Sequence, residues 1–168
     1  MIFEKIVGIA ACDPRGVMGI EGKLPWHSPE ELAHFAKTIG ASSLIMGYKT
    51  FLSLPKHYMK GRTTIIFTKQ QRVSTFTNQR FVTSLHDFFH LPDVFQTLYL
   101  IGGAQIFHLF FQENLINEFL LTKFRQEYEG DTFFPLSFLK GWHEYLVQKN
   151  ALFTIHRYTQ ESHARRCL

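Results

Sequence analysis

The segment LPWHSPEELAHF, from Leu24 to Phe35, joins a tryptophan, a helix start and two adjacent glutamates. Ser28 suits the N-cap, Pro29 suits the first helical position, and Ser28-x-x-Glu31 matches a capping box. The pattern therefore predicts a helix over Pro29–Ile39. The first helical turn contains two acidic residues. The residues after it are more apolar, as expected where a helix packs against a core.

The two glutamates of this segment should have different surroundings. At about 100° per residue, Leu32, Phe35 and Ile39 form one apolar stripe along the predicted helix. Glu31 falls beside Phe35 on the flank of that stripe, and Glu30 points roughly the opposite way. We therefore expect Glu30 to be solvated and Glu31 to be at least half-buried.

A carboxylate at Glu31 permits two interpretations, helix capping or chemistry in a pocket. Bordered by Trp26 and apolar helix residues, it should have a raised pKa unless a cation holds it ionised. One such carboxylate can accept two hydrogen bonds from a flat heterocycle that carries adjacent N–H and NH₂ donors. Protonation of that ring would strengthen the interaction. The segment alone leaves both interpretations open.

Length and composition indicate one domain with a hydrophobic core. The chain has 168 residues, 45% of them hydrophobic and 15% aromatic, which suffices for a substantial core. We predict one domain over residues 1–160 and a frayed basic tail over 161–168. The net charge of +4 comes from scattered residues, which argues against nucleic acid and favours a small anionic ligand.

The cysteines and apolar runs bear on the compartment of the protein. Cys12 and Cys167 are far apart in sequence, and neither they nor the nine histidines show metal-ligand spacing. We expect free thiols and no metal site. No apolar run approaches the roughly 20 residues that span a bilayer, and the short IVGIAAC run lacks the basic stretch of an export signal. These features predict a cytoplasmic protein.

The pattern of apolar runs predicts the fold class. Continuous apolar runs, which indicate strands covered on both faces, occur at Lys5–Ala11, Ser43–Met46, Thr64–Thr68 and Thr97–Ile101. Helical patterns lie between or after them, at Pro29–Ile39, Thr50–Leu54, Ser84–His90 and Ala104–Gln112. Further strands are predicted at Phe119–Phe124, His143–Lys149 and Leu152–Tyr158, the last two as a hairpin. Together, these strands and helices predict an α/β fold. It has a mostly parallel sheet with helices on both faces and an antiparallel edge.

Two segments that run from a strand through glycine into a helix are candidate ligand cradles. IMGYKTF passes through Gly47, and its helix start, with Lys49 and the Thr50 hydroxyl, would suit a phosphate. LIGGAQIF passes through Gly102-Gly103, where paired glycines permit close backbone approach. Neither segment matches a known phosphate-binding motif, so either could be a simple turn. Lys69 and Arg62 could likewise bind anions or lie exposed.

Taken together and in order, eight segments resemble dihydrofolate reductases: IVGIAA, VMGIEGKLPW, SPEELAHF, IMGYKTF, KGRTTIIFT, LIGGAQIF, FLLTKF and EGDTFFP. They span most of the chain from Ile6 to Pro135. The resemblance implies a central, mostly parallel eight-stranded sheet and the reduction of dihydrofolate to tetrahydrofolate by hydride from NADPH. It also implies a monomer that is inhibited by antifolates, with no metal, nucleic acid or membrane involved.

The resemblance assigns roles around the pterin ring of the substrate. Glu31 matches the acidic residue that anchors the ring and supports protonation of its N5, and Thr122 would help orient it. The stretch Met18–Trp26 looks like the mobile loop that closes over the nicotinamide, with Leu24 covering the ring and Trp26 holding a water. The implied substrate contacts are Ile9, Ala10, Glu31, Leu32, Phe35, Leu54, Arg62 and Ile101. Arg62 would bind the α-carboxylate of the substrate's glutamate.

The implied cofactor contacts follow the two glycine segments and the ends of two strands. They are Ala11, Ile20, Gly47, Lys49, Thr50, Thr68, Lys69, Gly102, Gly103, Ala104, Gln105, Ile106 and Phe107. The Gly102–Gly103 pair matches a family site with a cis peptide.

Three departures from the family pattern bear on this interpretation. Tyr48 stands where an arginine is frequent, so one cation for the 2′-phosphate of NADPH is missing, and Lys49 and Lys69 could supply that charge. Phe107 stands where many members have tyrosine near the nicotinamide, and loss of the hydroxyl should slow hydride transfer. The run Tyr58-Met59-Lys60 indicates an altered loop near the tail of the substrate.

Two other functions fit parts of the sequence. A pyrimidine reductase of riboflavin synthesis would share the fold and the NADPH site, but the acid of LPWHSPEEL and the position of Arg62 argue against it. A non-catalytic nucleotide-binding relative would explain Tyr48 and Phe107, both of which are mild substitutions.

Overall fold

A computed structural model describes residues 1–160, and the predicted tail at 161–168 lies outside the described residues together with Cys167. Within the described part, Cys12 is a free, buried thiol. No helix between residues 1 and 160 is long and apolar enough to cross a membrane.

An eight-stranded sheet forms the centre of the molecule. In chain order, the strands of the structure are β1 (Ile2–Cys12), β2 (Val17–Gly19), β3 (Ser43–Gly47), β4 (Thr64–Phe67), β5 (Gln79–Val82), β6 (Val94–Leu100), β7 (Glu118–Phe124), β8 (Thr132–Phe133), β9 (His143–Lys149) and β10 (Phe153–Thr159). The large sheet has the order β5-β4-β3-β6-β1-β7-β10-β9, and β2 pairs with β8 separately. Neighbours from β5 to β7 are parallel, whereas β10 is antiparallel to both β7 and β9. The predicted sheet and its antiparallel edge are confirmed.

Helices cover both faces of this sheet, as predicted. They are α1 (Pro29–Ile39), α2 (Tyr48–Ser53), α3 (Leu85–Phe89) and α4 (Ala104–Gln112), and short 3₁₀ turns occupy Lys56–Met59 and Leu136–Leu139. Apolar residues of α3 and α4 pack in one core cluster, and those of α1 and α2 pack in another. Successive strand residues alternate between the clusters, because side chains of a strand point to opposite faces. Ile45 and Ile65 lie in the first, and Leu44 and Ile66 in the second.

The boundaries of the predicted elements differ from the structure by up to three residues, because β1 begins at Ile2 and β6 at Val94, before their predicted starts at Lys5 and Thr97. The bounds of α1, α4 and β9 agree with the prediction, whereas α2 begins at Tyr48, two residues before the predicted start at Thr50. The strands β2, β5 and β8 were not predicted. Each has at most four residues, and such segments are stabilised by their pairing partners more than by a hydrophobic pattern of their own.

A buried carboxylate organises the chain between β1 and β2. Asp13 is 1% exposed and accepts hydrogen bonds from the backbone N–H groups of Arg15 (2.8 Å), Val17 (2.9 Å) and Tyr128 (2.9 Å). Burial acts to raise the pKa of Asp13, but these donors, with the nearby Arg15 side chain, hold the pKa below its usual range. The carboxylate therefore connects the loop after β1 to the loop after β7.

We expect Asp13→Asn to lower the free energy of unfolding by about 1–3 kcal/mol at pH 7, because an amide replaces an acceptor of three N–H donors. Since the native pKa is depressed, the stabilisation is complete above the ordinary aspartate pKa and is lost as the pH falls from there through the lower native pKa. Urea unfolding at pH 7 and pH 3 measures the difference.

The control for this experiment is Glu129→Gln, which removes a negative charge from an exposed residue of the same loop. It should leave the stability within about 0.5 kcal/mol of the wild type. An Asp13→Asn protein as stable as this control at pH 7 would contradict the assigned role of Asp13.

Candidate active site

The carboxyl ends of the central strands meet at one edge of the sheet, and the two predicted glycine segments lie in contact there. The Gly47 N–H at the end of β3 donates to the Gly102 carbonyl, with an N–O distance of 2.7 Å. A Cβ atom at Gly47 would lie 3.0 Å from Ile106 Cγ1, so the backbone approach depends on glycine. We call Gly47, Gly102 and Gly103 the glycine cradle. Crevices at such edges are where open α/β sheets bind ligands.

Gly102 and Gly103 are joined by a cis peptide bond, as the resemblance implies, and Gly102 has a φ of 115°. Thr50 Oγ1 lies 3.5 Å from where a Cβ of Gly103 would be, so this hydroxyl borders the glycine cradle. On the other side, a Cβ at Gly102 would lie 3.2 Å from Phe107 Cε2. The cradle is therefore enclosed by a hydroxyl and an aromatic edge.

Glu31 is buried, as predicted, and only 7% exposed. Its backbone N–H donates to Ser28 Oγ (3.2 Å), which confirms the N-cap. Its carboxylate accepts no hydrogen bond from residues 1–160, so the reciprocal bond of a capping box is not formed. Burial is the cause that raises the pKa of Glu31 to about 7. The capping interpretation therefore accounts for Ser28 and leaves the Glu31 carboxylate without a structural partner in the described chain.

Leu32 is more exposed than expected from the helical stripe. It is 37% exposed, although Glu31 beside it is buried. One turn further along α1, Phe35 packs in the cluster that contains Ile9, Leu54 and Ile101. The helix thus turns Glu31 and Phe35 towards the sheet, whereas Leu32 faces outward beside them. Leu32 is available to a ligand instead of being part of the core.

Trp26 and Thr122 lie on the other side of the same strand ends. Trp26 is 8% exposed, stacks against Phe124 with ring centroids 4.4 Å apart, and packs in a cluster with Ala11. Its indole Nε1–H is buried and has no acceptor within residues 1–160. Thr122, 1% exposed, pairs with Ala11 in the register of β1 and β7.

Within the stretch Met18–Trp26, the residues from Gly19 to Lys23 form a turn that is bound by the segment around β8. Ile20 and Lys23 exchange backbone hydrogen bonds of 2.9 Å across a tight turn at Glu21 and Gly22, whose φ values are 48° and 75°. Asp131 Oδ2 accepts from the Glu21 N–H (2.9 Å), and the Asp131 N–H donates to the Gly19 carbonyl (3.0 Å). This stretch therefore has defined anchoring contacts beside the cradle. Sequence reasoning missed the role of Asp131, although it lies in the EGDTFFP segment.

Arg62 lies at the opposite end of α1 from Glu31. Its guanidinium donates to the carbonyls of Ser42 (2.8 Å) and Gly40, just after the helix. Its Nε–H is buried without an acceptor among the described residues, and burial lowers the pKa of the group. Glu31 and Gly40 are separated by about 14 Å of helix axis. The structure therefore places an anionic and a cationic group at the two ends of one helix.

The remaining candidates differ in exposure. Buried candidates are Ile9, Thr68, Gly102 and Phe107, and partly buried ones are Ala10, Ala11, Ile20, Gly47, Thr50, Leu54, Ile101, Gly103, Ala104 and Ile106. Leu24, Lys49, Lys69 and Gln105 are exposed. Phe107 is 0% exposed and packs edge-on against Phe119 and Phe134, so it reaches the cradle only through one edge of its ring.

Two side chains near these groups were not predicted as site residues. Tyr58, in the altered loop, packs edge-on against Phe35 with ring centroids 5.3 Å apart. The Arg72 guanidinium lies over the Tyr48 ring, 4.0 Å from its centroid. Neither contact has a sequence signal, because each joins residues more than twenty positions apart. In the described chain, no three His, Cys, Asp or Glu side chains cluster as metal ligands.

Comparison with known proteins identifies the family. The dihydrofolate reductase family model matches residues 5–161. Dihydrofolate reductase of Lactococcus lactis is 31% identical over 91% of this chain and 96% of its own length, and that of Bacillus subtilis is 35% identical over 76% and 73%. The fold matches a solved dihydrofolate reductase from Enterococcus faecalis, complexed with NADP(H) and RAB-propyl. The TM-score is 0.78 at 24% identity, over 96% of this chain and 99% of that one. The chain belongs to the dihydrofolate reductase family.

Proposed function

We propose that this protein reduces 7,8-dihydrofolate to 5,6,7,8-tetrahydrofolate with NADPH as the reductant. The observation that carries the proposal is the buried Glu31 carboxylate, which has a pKa of about 7 and no partner in the described chain. A group of this kind costs stability, which is typical of residues retained for function. The family membership of the chain supports the same conclusion.

Glu31 would recognise the pterin ring and support its protonation. Its two oxygens can accept the ring N3–H and the 2-amino group side by side. As positive charge develops on the ring, the carboxylate stabilises it, and the effect is strong because the site is poorly solvated. Trp26, with its unpaired buried Nε1–H, would hold the water that delivers a proton to N5, and Thr122 would orient Glu31 and the ring.

The rest of the substrate would lie along α1. Backbone groups of Ile9, Ala10 and Ile101 would contact the ring, and Leu32, Phe35 and Leu54 would pack against the ring and the benzoyl group. Arg62 would bind the α-carboxylate of the glutamate. The two terminal nitrogens of Arg62 support this role, because each binds one carbonyl, of Ser42 or Gly40, and keeps a second N–H that can donate to a carboxylate.

The carboxyl edge of the sheet fits NADPH. Glycine at position 47 lets the end of β3 lie against Ile106 and the Gly102–Gly103 backbone, and Lys49, Thr68 and Lys69 offer cations and a hydroxyl near the ends of β3 and β4. When bound, NADPH supplies the hydride for the reduction. Ala11 would hold the carboxamide of the NADPH nicotinamide. Ile20 and the first turn of α4, Ala104–Phe107, would surround the nicotinamide ring. Leu24 would close over the ring when the Met18–Trp26 loop covers the site and excludes water.

The proposal extends to the organisation of the protein. We propose that residues 1–160 form a single domain that acts as a monomer in the cytoplasm. The large sheet, which includes β1 and β10, supports one domain, because the first and last described strands belong to it. Antifolate inhibitors with adjacent N–H and NH₂ donors on a flat ring would bind at Glu31 as the substrate does.

The first test is turnover of Glu31→Gln, which keeps the shape of the side chain and removes its charge. We expect a loss of about 100-fold or more at pH 7, because the variant cannot support protonation of the substrate. In the wild type, kcat/KM should fall as the pH rises through about 7, because the reacting complex of ionised Glu31 and protonated ring holds one proton, which the free enzyme carries on Glu31 only below that pH. The assay follows NADPH absorbance after addition of dihydrofolate, with a folate-free blank.

The matched control is Glu30→Gln, one residue away and exposed, with a contact to Asn150 Nδ2 at 3.3 Å. It should turn over within about twofold of the wild type. Wild-type-like turnover by Glu31→Gln across neutral pH would refute the role of Glu31. Turnover of a pyrimidine substrate, or NADPH binding without any turnover, would refute the proposed function itself.

The second test is the stability of the same variant as a function of pH. Folding raises the pKa of Glu31 from 4.5 to about 7, so the wild type is stabilised by the protonated form below 4.5 and loses this contribution as the pH rises through 7. Relative to the wild type, Glu31→Gln should gain about 3 kcal/mol between pH 4 and pH 9. Urea unfolding without ligand measures this gain.

A constant stability difference between the two proteins from pH 4 to pH 9 would show that Glu31 does not titrate near 7 in the folded protein. Glu30→Gln, measured in parallel, is the control for removal of a negative charge from the same helical turn, because that carboxylate is exposed in the folded protein.

A further inference from the structure

The Arg72 side chain is fixed at the edge of the sheet by two contacts. Thr68 directly follows β4, and Tyr48 directly follows β3, whose last residue Gly47 pairs with Phe67 in the register of the two strands. Arg72 comes from the loop after β4. Its Nε lies 3.4 Å from Thr68 Oγ1, to which it donates, and its guanidinium carbon lies 4.0 Å from the centroid of the Tyr48 ring. An exposed loop arginine is thereby held at the ends of two neighbouring strands.

These two contacts leave the outer edge of the guanidinium available. The Tyr48 ring occupies a face of the group, and Thr68 occupies Nε–H. The two terminal nitrogens, Nη1 and Nη2, make no hydrogen bond or ion pair with residues 1–160. They form the flat fork that arginine uses to bind two oxygens of a phosphate. The geometry is therefore suited to an anion that approaches from the side of the sheet edge.

The surroundings of this fork are positively charged. Lys49 follows Tyr48 and Lys69 follows Thr68, and both side chains are exposed. Neither ammonium group pairs with a carboxylate in the described part of the chain. Asp87 lines the same open cavity as Arg72, with Phe81 and Thr83. Its Oδ2 is already bound by the N–H (2.9 Å) and hydroxyl (2.6 Å) of Thr83. Arg72 and the two lysines thus place three positive charges near the ends of β3 and β4, no carboxylate in the described part of the chain pairs with them, and the charge of Asp87 lies in the same cavity.

We propose that Arg72, supported by the Tyr48 ring, is the residue that makes this enzyme prefer NADPH to NADH, by binding the 2′-phosphate of the cofactor. Lys49 and Lys69 add charge around that phosphate. Tyr48 acts as a positioning residue, because it supplies no charge but holds the guanidinium in place. The inference rests on the proposed NADPH-dependent function. Position 48 has a tyrosine where an arginine is frequent in the family, and we assign the role of that arginine to Arg72, a loop residue 24 positions later.

The test measures binding without turnover. Dissociation constants for NADPH, NADH, adenosine 2′,5′-bisphosphate and adenosine 5′-monophosphate are determined by titration calorimetry at fixed salt concentration. We expect Arg72→Met to weaken NADPH and the bisphosphate about 10- to 100-fold, and NADH and the monophosphate less than about threefold. Arg72→Lys should recover only part of the loss, because it keeps the charge without the fork.

Tyr48→Leu tests the positioning role. It should weaken NADPH and the bisphosphate about 3- to 10-fold, while NADH binding changes less. In an Arg72→Met background, Tyr48→Leu should have little further effect on the NADPH-to-NADH ratio, because the group that it positions is already absent. A full additional loss in the double variant would overturn the coupling of the two residues.

The control for charge is Arg157→Met, which removes the same charge from β10, where Arg157 pairs with Glu118 at 3.2 Å. It should leave the NADPH-to-NADH ratio unchanged. Unfolding curves of the Arg72 variants should overlay that of the wild type, because Arg72 is exposed. An unchanged ratio in Arg72→Met would overturn this inference alone, whereas failure of the wild type to bind either dinucleotide would overturn the proposed function.

Discussion

The buried carboxylate of Glu31 is the constraint on which the rest of the site depends. An ionised group without a cation or donor is unfavourable in a core, so the surrounding structure must hold it there. Ser28 caps the helix through the Glu31 N–H, and Phe35 and Ile39 anchor the following turns in the core cluster beneath α1. The helix is thus fixed by residues other than the carboxylate. Its charge remains available to a ligand that brings a complementary proton.

The parallel topology explains why segments far apart in sequence form one crevice. Strands β1, β3, β4 and β6 run in one direction, so their carboxyl ends meet at the same edge. The bond from the Gly47 N–H to the Gly102 carbonyl joins two of these ends directly, and glycine at both positions allows it. The loop after β1 is held beside them by Asp13 and Asp131, whose carboxylates accept hydrogen bonds from backbone N–H groups. The shape of the crevice therefore depends mainly on hydrogen bonds to backbone groups.

The sequence predicted the parts of the molecule that carry strong periodic signals. The capping residues and stripe of α1, and the apolar run of α4, gave the bounds of both helices, and the ordered motifs gave the family. The three shortest paired segments escaped prediction, because tertiary pairing stabilises them. The relative burial of Glu31 and Leu32 also depends on how α1 is rotated against the sheet, which helical periodicity fixes only roughly. The Arg72–Tyr48 contact requires a loop conformation that no local pattern encodes.

The distribution of charge along the crevice has a consequence for how the two ligands are oriented. Glu31 provides negative charge at the start of α1, whereas Lys49, Lys69 and Arg72 provide positive charge at the ends of β3 and β4. If a dinucleotide bound in the reverse orientation, its phosphate would approach the buried Glu31 carboxylate. The two negative charges would repel each other, and poor solvation would increase this repulsion. The same argument applies to the substrate in the proposed binding mode, in which its protonatable ring would face Glu31 and its carboxylate tail would face Arg62. In that mode, electrostatic complementarity would favour the orientation in which the nicotinamide and the pterin meet.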